Sequence, residues 1–445
     1  MSILRGGKLM SKSVGLTGVR VAGAGAGFMT QLLLARTMAP ADLGLFYIFS
    51  SMAIVLGTVA AIGYPGIANQ FIVRYKARGK KRSLRAFVRT ARRDTFIASI
   101  FVAIFCVAAV AIGSGGNPEI IWPTVIAALA IPAFTTLRVS GGFANAVERF
   151  ALSFLPDNLI RPVLFLAIMA IIVSVNGSLG LLPVVGVFAA LSVAVAAMQT
   201  WAVGWSGGIA GSAATPHRRL TRHWRMSGGR LVIPLLITSL FADLSILGAG
   251  FMLEPAEVAI FGLCVKIAFM SGFFVQVVHQ IAIPRFARSA LTRNQADTNE
   301  VIFQTNAIAA GAMALALLLA WLGGSEFLAL FGDEFPAGYT VLLILVGTQL
   351  VRALGGPALS LLIASGLHGR SLHVMVASLA VFVGSFFALA PSLGLTGAAL
   401  AVLAGSALSS AGLAVVVRRE LGYRCDILAF LQPNPSPEVP GRSRA

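Results

Sequence analysis

Thr95-Phe96-Ile97-Ala98-Ser99-Ile100-Phe101-Val102-Ala103-Ile104-Phe105-Cys106-Val107-Ala108-Ala109-Val110-Ala111-Ile112 contains no charged residue, and it follows ten lysines and arginines placed between Arg74 and Arg93. At about 1.5 Å of rise per residue, a helix of this length nearly crosses the ~30 Å hydrocarbon core of a bilayer. Backbone groups in lipid can bond only to each other, so the block is predicted to be a helix. It lacks the polar/apolar alternation of a membrane β-barrel strand. The rest of the chain has the same character: 57% of the 445 residues are hydrophobic and 11% are charged, against about 25% charged in soluble domains.

Working outward from this block, the pattern predicts twelve transmembrane helices. Six lie near Gly15–Leu34, Gly44–Ile67, Thr95–Ile112, Ile120–Ala146, Phe154–Ser174 and Leu181–Gly204. Six more lie near Leu231–Met252, Val258–Ile283, Val301–Gly323, Tyr339–Ser365, Ser371–Ala390 and Gly397–Val417. With both termini in the cytoplasm, the inside segments hold 28 of the 34 lysines and arginines and the outside loops only Arg36. That asymmetry is the positive-inside pattern. The net charge of +18 therefore sits in short membrane-flanking loops, which argues against nucleic acid as a partner. The Arg74–Arg93 run instead suits anionic membrane lipids. Cys106, Cys264 and Cys425 form no spaced framework, so free thiols and no metal site are expected.

The chain repeats itself. Pro40-Ala41-Asp42-Leu43-Gly44-Leu45-Phe46 recurs 215 residues on as Pro255-Ala256-Glu257-Val258-Ala259-Ile260-Phe261. Leu137-Arg138-Val139-Ser140-Gly141-Gly142 recurs 214 residues on as Val351-Arg352-Ala353-Leu354-Gly355-Gly356. Two matches at nearly one offset predict a duplicated six-helix unit. The expected architecture is all-α and polytopic, with two six-helix bundles related by a pseudo-twofold axis around a central cavity. Residues 1–210 form the first bundle, 211–417 the second, and 418–445 a cytoplasmic tail.

Seven ionisable residues fall inside these spans: Arg20, Arg138, Asp157, Arg161, Asp243, Lys266 and Arg352. Such residues are costly in lipid and mark functional sites or internal pairs. Five are basic, and a guanidinium's planar fork suits phosphate. A cationic cavity would take an anionic, phosphate-bearing substrate. Arg138 and Arg352 are the principal candidates, with Arg20, Arg161 and Lys266 in support. The glycine pairs after Arg138 and Arg352 are expected to leave room for a headgroup. Other readings stand beside these. Asp157 and Arg161, four residues apart, suit a local ion pair; Arg20 is placed to snorkel; Asp243 is either a partner of Lys266 or a carboxylate coupling transport to H+ or Na+. Ala22-Gly23-Ala24-Gly25-Ala26-Gly27 invites close approach by another helix. No nucleophile elbow, P-loop or long outside loop suggests an enzyme, and no cofactor is expected.

The joint Leu33-Leu34-Ala35-Arg36-Thr37-Met38-Ala39-Pro40-Ala41-Asp42-Leu43-Gly44-Leu45-Phe46 resembles the bacterial oligosaccharide flippases, the polysaccharide transporter branch of the multidrug/oligosaccharidyl-lipid/polysaccharide exporter superfamily. Phe241-Ala242-Asp243-Leu244, Phe261-Gly262, Pro284 and Phe331-Gly332 are similar to that family in the same order. The resemblance implies transfer of a polyprenyl-pyrophosphate-linked oligosaccharide across the bacterial inner membrane by alternating access, for lipopolysaccharide, exopolysaccharide or capsule synthesis. Polymerases and glycosyltransferases are the partners such a pathway would bring. The alternatives are an ion-coupled drug or metabolite exporter of the same superfamily, and a membrane-embedded glycan polymerase or ligase.

Overall fold

The uncharged Thr95–Ile112 block is the second half of one 33-residue helix, Lys81–Gly113 (α4). The second part of the basic run, Lys81 to Arg93, forms its first turns, and Phe101, Ile104, Phe105 and Ile112 lie exposed along its apolar half, as expected of a helix facing lipid. The structure, a computed structural model, describes residues 3–206, 218–292, 295–365 and 367–426. Among the described residues it contains helices and no strands.

The helices are α1 (Ile3–Thr37), α2 (Pro40–Ala60), α3 (Tyr64–Ala77), α4, α5 (Pro118–Ala128), α6 (Ala130–Ala146), α7 (Phe150–Leu155), α8 (Arg161–Asn176), α9 (Leu181–Ser206), α10 (Arg218–Gly229), α11 (Val232–Ala249), α12 (Pro255–Thr292), α13 (Gln295–Ala329), α14 (Tyr339–Leu354), α15 (Ala358–Ala364) and α16 (Leu372–Leu421). Against the twelve predicted spans, nine helical segments of the described residues are long and apolar enough to cross a membrane. The last, Gly369–Leu421, contains two predicted spans, joined where Gly394 leaves helical geometry at φ 55°. α1 and α11, which carry two more, have part of their side chains outside the described residues.

Several predicted spans are broken helices. Pro65 follows a turn in which Ile62 and Gly63 take positive φ (50° and 66°), so the segment divides into α2 and α3. Pro357 separates α14 from α15. A π-helical turn, Pro156–Ile160, joins α7 to α8. Proline's missing N–H and a π-turn are both recognised causes of such breaks.

The chain forms two compact units: Met1–Ile267 with Ser325–Tyr339 and Ala390–Ala398, and Ala268–Gly324 with Thr340–Leu389 and Ala399–Ala445. In the first unit, α2 crosses the start of α12 at the repeated motif. Gly44 lies against the Pro255 carbonyl and near the Ala259 nitrogen, and the Tyr47 ring lies on Gly262. Positions 44 and 259, and 47 and 262, are each related by the repeat offset of 215. Equivalent residues meeting each other is the signature of a twofold axis through a contact. Gly23 lies against the Asn158 carbonyl of the π-turn, the close approach predicted for the small-residue stretch of α1.

At the basic end of α4, α10 is anchored by a second device. Trp224 is fully buried, 5.3 Å from Phe87, and its Nε1 donates to the Tyr75 hydroxyl at 3.2 Å. Arg225 donates to Asp94 from Nε at 2.7 Å and Nη2 at 2.9 Å, and Tyr64 donates to the same carboxylate at 3.1 Å. The hydrogen bonds to Asp94 hold the Arg225 guanidinium above its ordinary range.

In the second unit, Phe286, Ile302, Leu361, Leu362, Val417 and Cys425 form a core. Here the glycines after Arg352 are packing positions: Gly355 lies against Ser410, and Gly356, at φ 73°, against the Cys425 carbonyl. Gly142, after Arg138, lies against Pro65. Gly142, Gly355 and Gly356 therefore do not leave the room for a headgroup that the sequence suggests, because backbone and neighbouring side chains fill the space that a Cβ would need; at Gly141 a Cβ would meet only ordinary van der Waals contact.

Candidate functional site

Five of the seven intramembrane ionisable residues come together in the first unit. Arg161, at the start of α8, pairs with Asp157 in the preceding π-turn at 2.9 Å. The extra residue of the π-turn rotates Arg161 so that its guanidinium lies 4.9 Å from the Phe134 ring and 5.8 Å from Phe188. These distances permit cation–π attraction. The i,i+4 pair expected from the sequence thus forms, and two aromatic faces hold its cation.

Arg138 projects from α6. Its buried Nε has no hydrogen-bond partner among the described residues, although Asp157 and Asp243 lie within electrostatic range. Asp243, on α11, accepts a hydrogen bond from the Ser51 hydroxyl at 3.2 Å. Lys266, Arg138 and Arg161 all lie within its electrostatic reach. Lys266, on α12, makes no ion pair with Asp243 within 4.0 Å. Its ammonium sits 4.9 Å from the Tyr47 ring centroid, and the Tyr47 hydroxyl donates to Gln31 at 2.6 Å. Two carboxylates thus face three cations, and one cation has an unspent donor. Burial strengthens such charges and makes an unpaired donor costly, so the arrangement favours an added anion.

Arg352 belongs to the second unit. It donates to Gln349 at 3.4 Å and lies 5.6 Å from the Phe269 ring. Among the described residues it makes no ion pair. Gln349 Nε2 and His279 Nε2 nearby are buried without partners. Arg20 lies on α1, and its side chain is outside the described residues. Ser51, Tyr47, Gln31, Phe134 and Phe188 were not singled out by the sequence, because hydroxyls, amides and aromatics are common in membrane helices. Among the described residues no three His, Cys, Asp or Glu side chains group as metal ligands.

A family profile described as "Polysaccharide biosynthesis protein" matches residues 9–290. The chain belongs to that family. No curated protein matches this chain significantly, but solved structures do. A multidrug resistance MATE family transporter of the MOP superfamily, in an inward-facing conformation, is 12% identical with a TM-score of 0.70, covering 91% of this chain and 98% of its own. The lipid II flippase MurJ, inward closed, is 11% identical with a TM-score of 0.72, covering 91% and 87%. A MOP superfamily transporter from Pyrococcus furiosus, with a binding pocket of reverse polarity, is 13% identical with a TM-score of 0.52, covering 92% and 95%. At these identities the likeness is one of fold. This family member is a multi-pass membrane protein with the fold of MOP-superfamily transporters and flippases.

Proposed function

We propose that this chain moves a polyprenyl-pyrophosphate-linked oligosaccharide from the cytoplasmic to the periplasmic leaflet of the bacterial inner membrane, by alternating access, to supply lipopolysaccharide, exopolysaccharide or capsule synthesis. In this reading twelve helices cross the membrane, both termini are cytoplasmic, and the chain is a carrier and not an enzyme. The observation that carries it is the sign and bonding of the buried charge. Arg138, Arg161 and Lys266 outnumber Asp157 and Asp243, and Arg138 Nε lacks a partner. Arg352 adds a cation that makes no ion pair among the described residues. Phosphate oxygens would neutralise each of these arginines, within its own unit, through charge-assisted hydrogen bonds. Family membership and the flippase among the structural neighbours support the same substrate class. An exporter of the drug-transporting type shares the fold, but a net-positive interior disfavours cationic cargo.

The test is binding and flipping of a polyprenyl-pyrophosphate glycan by protein reconstituted in proteoliposomes. Arg138→Ala and Arg352→Ala should each weaken binding roughly 10- to 150-fold, the equivalent of about 1.5–3 kcal/mol per charged hydrogen bond. Lysine at either position should restore it only in part, keeping charge but losing the fork. Failure of the wild-type protein to move the glycan overturns the flippase reading. If both alanine variants are folded and fully active, the phosphate roles are wrong.

A further inference from the structure

A cavity of about 360 Å³ opens among α4, α6 and α9, at the basic end of α4. Its walls include Arg92, Thr95 and Phe96 from α4, Thr136 and Ser140 from α6, and Thr200 from α9. None of these belongs to the intramembrane cluster described above. Arg92 is the unusual member. Its Nε and Nη2 are buried and have no hydrogen-bond partner among the described residues. Its neighbour Arg93 donates to Asp94 at 3.2 Å, with a side chain 63% exposed. Asp94 is already engaged by Arg225 and Tyr64 and makes no ion pair with Arg92 within 4.0 Å.

Two buried guanidinium donors without an acceptor are costly. Arg92 also lines a cavity that presents hydroxyls, with Ser140 and Thr200 hydrogen-bonded to each other at 3.1 Å. A guanidinium that lines one cavity with Thr136, Ser140 and Thr200 suits a tetrahedral phosphate. The rim says where that phosphate comes from. Phe96 lines the cavity and is 57% exposed, and Ile100, Phe101 and Ile104 continue the exposed apolar face along α4. A phosphate in the cavity would thus have acyl chains beside an apolar helix face. The surrounding basic run enriches anionic lipid only diffusely; the cavity adds a fitted acceptor site.

We propose that this cavity is a binding site for the headgroup of an anionic phospholipid, with Arg92 holding its phosphate. The proposal does not depend on which substrate the protein transports. The purified full chain, titrated in detergent with phosphatidylglycerol or phosphatidylcholine and read by native mass spectrometry, should prefer phosphatidylglycerol. Arg92→Gln should weaken that binding by about tenfold or more, as expected for lost charge-assisted hydrogen bonds. Thr136→Leu, which keeps Arg92 but fills the cavity, should weaken it similarly and decides the matter if Arg92→Gln does not fold. Arg82→Gln, an exposed position in the same basic run, should leave binding unchanged. Wild-type affinity in folded Arg92→Gln or in Thr136→Leu overturns the proposal, as does an equal loss in Arg82→Gln. Displacement of the lipid by equimolar inorganic phosphate would make the occupant a free anion and overturn the lipid assignment.

Discussion

Asp243 stands out among the buried charges because the duplication does not reproduce it. Its counterpart at the repeat offset is Phe28, and Lys266 corresponds to Ser51, the residue that donates to Asp243. One carboxylate, bonded to a neutral hydroxyl and surrounded by cations at longer range, is what a single coupling site would need. Lys266 lies over Tyr47 without pairing directly to Asp243, so the direct ion pair that the sequence leaves open does not form. The proposed coupling role predicts that Asp243→Asn slows transport and abolishes its dependence on a proton or sodium gradient in proteoliposomes. Gradient dependence as in the wild type, in a folded Asp243→Asn protein, would reject it. If Asp243→Asn instead lowers expression and a second change, Lys266→Met, restores it, charge balance across the longer separation is the better account.

Close helix crossings account for several of the described glycines, Gly23, Gly44, Gly57 and Gly262 among them. Gly44 is at the crossing of α2 and α12, where a Cβ would run into the Pro255 carbonyl, a backbone atom that cannot turn aside. Gly44→Ala should therefore destabilise the protein by about 1–3 kcal/mol, the usual range for overpacking. Gly347, in α14, has nothing within 4 Å of an added Cβ. Gly347→Ala should stabilise by about 0.5–1 kcal/mol through helix propensity alone. Thermal unfolding in detergent of both variants checks the pair, and equal midpoints would contradict the crossing. The sequence carries the repeated motif at this crossing but not the contact itself. A repeat states which positions are equivalent; only three-dimensional packing brings residues 44 and 259 against each other. The same distinction explains Gly142, Gly355 and Gly356, which follow Arg138 and Arg352. Sequence marks them as lacking bulk, and neighbouring helices, not open space, supply the reason.

At the scale of the whole molecule, apolar blocks of bilayer length made the membrane fold legible, and the rarity of charge within them exposed Arg138, Asp157, Arg161, Asp243, Lys266 and Arg352. Arg92 was hidden because it is one of ten basic residues in a run, and only burial separates it from its solvated neighbours. The π-turn at Pro156–Ile160 was hidden because α-helix and π-turn share one composition. The charge asymmetry of the loops predicts the sidedness of the chain. Single cysteines at Asn117, Ser178 and Ser325 should react with an impermeant thiol reagent added to the periplasmic side, and cysteines at Gly79 and Arg149 should not. The native background is favourable. Cys106, Cys264 and Cys425 are all buried and free. At Cys425, beyond the last helix, burial pushes the thiol up to about 12, which leaves little reactive thiolate near neutral pH. Gly79 is the sharpest inside position. It is exposed, takes a left-handed φ of 64° at the end of α3, and stands within the ten-residue basic run. Because that conformation disfavours a side chain, Lys80→Cys is its companion and should be equally protected in sealed cells. Opening the membrane with detergent should expose both, showing that sidedness and not burial had protected them. Labelling at Lys80→Cys in sealed cells, or protection at both Asn117→Cys and Ser178→Cys after folding is verified, would invert the loops and with them the direction proposed for transport.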